Sequence, residues 1–453
     1  MIQIKSKTPS TTASPFTSAH RAFSHGRLGW PLLLATLVAC DPGSADEETS
    51  SAAPAPPSEG KADDGDEDDA GAGGAVVEPA GGTEAAGGVE PIGGEAGGGA
   101  EPPPPAPVGL RVLGAGAHVA AAVDIELLAD ARHGLKIPRD LAFNPEHEGE
   151  LWVVNQLDDS TVTFFDLHTD APRLAKRIDP YAMHFMDSPS SIAFGAPMTF
   201  GTCQESRNTY NGQAEPNDFM GPTLWPADFD IYAHSNPEAV AGLGFDLGSH
   251  LDMLHESPLC MGIAWEKDNV YWTFDGLTGS ISRYDFMQDH GVGWDDHSDG
   301  VIARYAEGEV ARVEGIPSHL AFDHETGLLY IADTGNARIA VLDTTTGRSR
   351  GRLSVIEPGT QLWKMVDYDL GTLADGAAAE LTLPSGLALY DGHLYVADNE
   401  TSRITAFTLS GERVDWLDTG LNPGSLMGIE FDAQGRLYAV DGLGSRLLRI
   451  TAK

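Results

Sequence analysis

The chain has 453 residues, with 28 Lys and Arg against 67 Asp and Glu and a formal net charge of −39. That balance excludes a nucleic-acid partner, which needs clustered basic side chains to neutralise phosphates, and a polybasic grip on anionic lipid. Three cysteines exclude a disulfide-dense scaffold and a four-cysteine zinc module.

In chain order, residues 1–39 carry Lys5, Lys7, Arg21 and Arg27 and no acid. The apolar run from Leu28 to Ala39 is shorter than the about 20 residues a membrane span requires, but has the length of a signal-peptide core. It ends in Leu37-Val38-Ala39-Cys40, which resembles the lipobox of bacterial lipoproteins. The resemblance implies that 1–39 is a lipoprotein signal peptide and that Cys40 is lipidated. The protein would then be exported and anchored to the cell envelope, on the outer membrane facing the periplasm or on the cell surface. Ordinary signal cleavage near Ala39 is the other reading of the same residues.

Residues 41–107 hold 16 acids, one base (Lys61) and no aromatic residue, with Gly/Ala/Glu runs and four prolines from Pro102 to Pro105. Such a composition buries too little apolar surface to offset chain entropy. It predicts a disordered acidic tether over 40–107, spanning roughly 45 Å as a flexible coil. The remaining 108–453 still carries a net −28 and is expected to be the folded domain.

That domain repeats itself. A proline followed by an apolar-Ala-aromatic triplet, or a variant of it, recurs six times. The copies are Pro138 to Phe143, Pro189 to Phe194, Pro258 to Trp265, Pro317 to Phe322, Pro384 to Leu389 and Pro423 to Phe431. A β-branched and aromatic run closed by Asp or Asn follows five of them, as in Leu329-Tyr330-Ile331-Ala332-Asp333 and Leu394-Tyr395-Val396-Ala397-Asp398. Each reads as a strand leading into a turn. A third strand comes next, as in Arg338 to Asp343.

The fourth and fifth copies resemble the NHL repeat, most closely at Tyr330-Ile331-Ala332-Asp333-Thr334-Gly335-Asn336-Ala337-Arg338-Ile339. The resemblance implies an all-β, NHL-like six-bladed β-propeller over 108–453. The last copy stops after its third strand, Leu447 to Ile450. Residues 109–128 are therefore expected to return as the missing fourth strand. The first four copy spacings exceed the about 40–45 residues a four-stranded blade needs, which predicts insertions at 204–250, 285–305 and 357–382.

Two enzyme groups share this resemblance. Peptidyl-hydroxyglycine amidating lyases take zinc-binding histidines from the position after the blade proline, and gluconolactonase-type propellers use Asn and Asp there. Aligned on the following apolar-Ala pair, this chain has Arg139, Ser190, Met261, Ser318, Ser385 and Met427. Neither ligand set is present. His319 follows one residue later, on the opposite side of a strand.

Other chemistry gathers around the second and third copies: Met183-His184-Phe185-Met186, His250-Leu251-Asp252-Met253-Leu254-His255, Asp289-His290 and Asp295-Asp296-His297-Ser298-Asp299-Gly300. His184, His255, His297 and His319 are candidate metal ligands. Imidazole with carboxylate suits zinc, and imidazole with Met or Cys suits copper. The last segment partly imitates a calcium loop. The bland reading is loop histidines satisfied by hydrogen bonds and methionines filling the core. Cys203 and Cys260, in an exported protein, read as a disulfide, with thiolate metal ligation as the alternative. The cluster Phe219 to Pro226 reads as the outer strand of blade two or as a ligand wall.

Two functions remain. One is a lipid-anchored, monomeric propeller binding a protein or small molecule, with no cofactor required. The other is a lyase or hydrolase using a divalent metal (Zn, Cu or Ca) at the propeller channel. No catalytic residue is identified, and no nucleophile elbow or phosphate loop occurs.

Overall fold

The computed structural model describes residues 109–453 apart from 170, 196–197 and 208–217. The expected signal peptide (1–39), Cys40 and the expected acidic tether (40–107) lie outside the described residues.

The strands form six antiparallel four-stranded sheets, one of them extended to six strands, and the domain is a six-bladed β-propeller. Blade one runs Pro138–Phe143, Leu151–Asn155, Ser160–Phe165 and Arg173–Ile178 from the axis outward. Blades two, three and four start at Pro189–Phe194, Cys260–Lys267 and Leu320–Asp323. Blades five and six start at Pro384–Tyr390 and Leu426–Phe431. The second strands are the apolar runs of the sequence, and Leu151–Asn155 and Val270–Asp275 are buried throughout. Outer strands such as Arg173–Ile178 face water and carry the charge.

In blades four, five and six the acid that closes the second strand fixes the neighbouring turn or loop. Asp333 accepts from Ala311 N and Arg338 Nε, Asp398 from the backbone N–H of Thr382, Leu383 and Thr401, and Asp441 from Gly444 N and Arg446 Nε. These carboxylates thus satisfy loop and turn amides that the strand ladders leave unpaired.

The innermost strands are bonded to one another around the axis. Ser190 Oγ donates to Cys260 O (2.7 Å), Ser318 N to Met261 O (3.1 Å), His319 N to Ser385 O (3.0 Å) and Ser385 Oγ to Met427 O (3.1 Å). The serines after the blade proline therefore join blades. Gly262 permits this approach, since a Cβ there would lie 2.0 Å from Ser318 O. Between blades the core is aromatic and aliphatic. Trp152 of blade one packs on Phe200 of blade two and on Tyr232, with ring centroids about 5 Å apart.

Ring closure follows the sequence expectation. Val123–Ala129 pairs antiparallel with Arg446–Ala452 and is the fourth strand of blade six, with Ile125 opposite Ile450 and Glu126 opposite Arg449.

The insertions depart from expectation in two places. The aromatic cluster forms the third strand of blade two, Thr223–Pro226, and not its outer strand, which is the two-residue Asp252–Met253. Two strands between the third and fourth strands of blade four, Arg348–Arg352 and Gln361–Val366, form a hairpin. Gln361–Val366 pairs parallel with Val301–Tyr305 and widens blade three to six strands.

Candidate functional site

A cavity of about 450 Å³ lies among the loops that lead into blades two and three. His184, His255, His297, Asp295 and Glu357 line it, with Tyr181, Phe219, Phe245 and Ile356 among the apolar walls.

His184 sits on the one-turn helix Ala182–Phe185. Asp179 fixes the start of that turn: its Oδ1 accepts from Tyr181 N, and its Oδ2 accepts from Ser249 N and Oγ. The same carboxylate therefore ties the His184 turn to the segment that carries His250, Asp252 and His255. His255 lies buried five residues before the inner strand of blade three, its ring stacked on Phe219 at 3.7 Å between centroids. Its Nδ1–H donates to Glu357 Oε2 (2.8 Å), and its Nε2 lies 3.3 Å from His184 Nε2. Glu357 comes from the tip of the blade-four hairpin. Glu256 Oε1 holds that tip by accepting from the backbone N–H of Ile356 and Glu357.

His297 is held between two acids, Asp252 Oδ1 at 2.7 Å from Nδ1 and Asp295 Oδ1 at 3.2 Å from Nε2. His250 stands behind the wall, its ring stacked on Phe185 and its Nδ1–H donating to Leu247 O.

Burial sets the charges. It pushes His184 and His250 down to about 3, and His255 well below the usual imidazole range. The three rings are neutral at pH 7. Burial would lower His297 too, but its bonds to Asp252 and Asp295 outweigh that and raise it to about 10. Burial raises Glu357 to about 7 and Asp252 to about 6. The cavity therefore presents neutral imidazoles, one imidazolium already matched by acids, and a carboxyl that titrates near neutrality.

Of the four sequence-selected histidines, His184, His255 and His297 come together here. His319 does not. It faces the propeller channel, where its Nε2–H donates to Ser190 O (3.2 Å) and its Nδ1 lies 3.4 Å from Asp140 Oδ1. Burial drives both partners neutral, the imidazole down to about 3 and the Asp140 carboxyl well up. Asp140 and His319 belong to a separate cavity of about 540 Å³ toward the far ends of the inner strands, shared with Glu430. The methionines offered as copper ligands are core residues or solvent-facing: Met186, Met253 and Met261 are buried in hydrophobic clusters and Met183 is exposed. Cys203 and Cys260 face each other across blades two and three, Cα atoms 5.0 Å apart and sulfurs at bonding distance. In the calcium-like segment the acids turn to separate partners: Asp295 to His297, Asp296 to Ser298 and Asp299 to His290.

Glu357 and Glu256 are the site residues that sequence reasoning missed. Repeat spacing marks 357–382 as an insertion, but no local signal places Glu357 beside His255, 102 residues away.

The NHL repeat family model matches residues 381–407, which cover the first two strands of blade five and most of the third. No curated protein sequence matches the chain. Among solved structures, the chain is similar to an auxiliary nutrient binding protein from Bacteroides thetaiotaomicron, at 14% identity and a TM-score of 0.46, over 69% of this chain and 68% of that one. It is similar to a gluconolactonase from Xanthomonas campestris at 14% identity and a TM-score of 0.39, over 74% and 92%. It is similar to virginiamycin B lyase from Staphylococcus aureus at 9% identity and a TM-score of 0.41, over 73% and 99%.

Proposed function

We propose that this six-bladed β-propeller, which carries an NHL repeat, is a ligand-binding module of the bacterial cell envelope, exported and anchored through a lipid on Cys40. Its ligand sits in the His184–His255–Glu357 cavity. The observation that carries this reading is the construction of that cavity. Loops from separate blades enclose a space of small-molecule size, with a few convergent polar groups against aromatic walls. Phe245 and Ile356 stand at its rim, 53% and 44% exposed, and offer an apolar face that a ligand would cover. The domain's net −28 disfavours anions, so the ligand is a neutral or cationic molecule with a ring or other flat apolar face.

The test compares the full chain with Phe245→Ala and Glu357→Ala variants. Thermal shifts are read with neutral sugars, nucleosides and aromatic amines. A compound that stabilises the parent and neither variant supports the reading. Equal shifts in all three proteins, or none in any, would overturn it.

A second reading keeps a metal-dependent lyase or hydrolase. It is favoured by the 3.3 Å separation of His184 Nε2 and His255 Nε2, close to the edge of a tetrahedron with zinc–nitrogen bonds of about 2.0–2.1 Å. Glu357 would orient His255 from behind, as carboxylates do for zinc-binding imidazoles. The metal would supply a Lewis acid. Among the described residues, no third His, Cys or acid completes a set around this pair within 4.8 Å, and binding is therefore the preferred reading. Zinc uptake lost in both His184→Ala and His255→Ala would reverse that preference.

A further inference from the structure

Asp252, on the short outer strand of blade two, is fully buried. Its Oδ1 accepts from His297 Nδ1–H, and among the described residues its Oδ2 has no hydrogen-bond partner. A buried carboxylate oxygen without a donor bears an uncompensated desolvation cost. Asp252 belongs to a cluster. Asp252, His290 and Asp299 each bring one donor atom, and the three lie within 4.8 Å of one another. His290 Nε2 is 3.0 Å from Asp299 Oδ1, and His290 Nδ1 is 3.8 Å from Asp296 Oδ2.

We propose that Asp252, His290 and Asp299 bind a zinc ion outside the cavity. One imidazole and two carboxylates make a three-ligand set that suits zinc, whereas calcium takes six to eight oxygens. His290 ligates through Nε2, and its Nδ1–H turns to Asp296, the kind of carboxylate partner that zinc-bound imidazoles keep. Asp252 ligates through Oδ2 and keeps Oδ1 for His297. The ion fastens the 286–300 loop to blade two. Through Asp252 it also sets the position of His297 in the cavity wall, so the site positions cavity residues and does not touch the ligand.

The experiment strips the full chain with a chelator and titrates it calorimetrically with zinc chloride alone. A binding component should appear that His290→Gln and Asp299→Asn each weaken at least about tenfold, and that His184→Gln leaves intact. Both altered residues are partly exposed, and unchanged thermal unfolding of the stripped variants shows that they fold. Absence of zinc uptake, or uptake that neither variant alters, overturns the proposal. Uptake lost with His184→Gln and kept by His290→Gln also overturns it, by moving the ion into the cavity. Failure of the cavity ligand screen with this zinc component present strikes the binding reading alone.

Discussion

Glu357 Oε2 receives two hydrogen bonds from one residue, His255, from its backbone N–H at 3.3 Å and its Nδ1–H at 2.8 Å. Removing the acceptor leaves two buried donors unmet, each worth about 1–3 kcal/mol. Glu357→Ala should therefore lower unfolding free energy in urea by a few kcal/mol. Glu357→Gln should recover most of the loss, because an amide oxygen accepts from the same donors. Equal stability of Glu357→Ala and parent would refute the pairing.

The fourth strand of blade six comes from the start of the domain, and its loss would open the ring. Deleting 108–130 exposes the edge of Arg446–Ala452 and the apolar cluster that includes Val123. The full chain should melt in one cooperative transition and the deleted chain should not. An unchanged melting curve would contradict closure by this strand.

Gly262 lets blades three and four touch. A methyl group at this position meets a backbone oxygen, Ser318 O, which cannot rotate away. Gly262→Ala should destabilise by about 1–3 kcal/mol or more in denaturant titration, as overpacking does. Gly371, which has no described residue within 4 Å of its added Cβ, is the control, and equal effects at the two sites would defeat the argument.

His319 predicts an acid response. Folded, it stays neutral down to about 3, whereas the unfolded imidazole takes its proton near 6.5. Between those values the unfolded state binds the extra proton, so stability falls as pH falls. The slope is about 1.4 kcal/mol per pH unit for one such group. His319→Gln should flatten stability between pH 6 and 4 by about that slope. The same acid sensitivity in both proteins would count against it.

The cysteine pair predicts that the unfolded, unreduced chain shows no reactive thiol at Cys203 or Cys260. It also predicts that reduction costs about 4 kcal/mol on a loop-entropy estimate for their 57-residue separation. Two thiols titrating without reductant would exclude the bridge.

The ring was legible because its signals are local. The run closed by Asp333 falls on the strand Leu328–Asp333, and its closing acid accepts from Asn336 Nδ2 and Arg338 Nε in the turn that follows. Blade two was least legible, because its outer strand is two residues long and begins 26 positions after Thr223–Pro226 ends. In the cavity, His184 and His255 could be found, since residue type and placement ahead of an inner strand both marked them. His319 was marked by type alone, and its place on the strand turns it to the channel. Glu357 carried no mark. Its role depends on a parallel strand pairing between blades, Val301 opposite Gln361, and such pairing has no signature in neighbouring residues.

That pairing has a consequence for how the protein can be cut and assembled. The chain leaves blade four after Arg338–Asp343, contributes two strands to blade three, and only then returns to finish blade four with Asp369–Asp375. Blades three and four are thus interlaced: the sheet of blade three is completed only after blade four has begun. A truncation or circular permutation at their boundary would break two blades at once, whereas one between blades four and five crosses no such exchange. A protease nick within 353–360 would leave every blade strand in place and free the tip that carries Glu357, uncoupling the cavity from the ring.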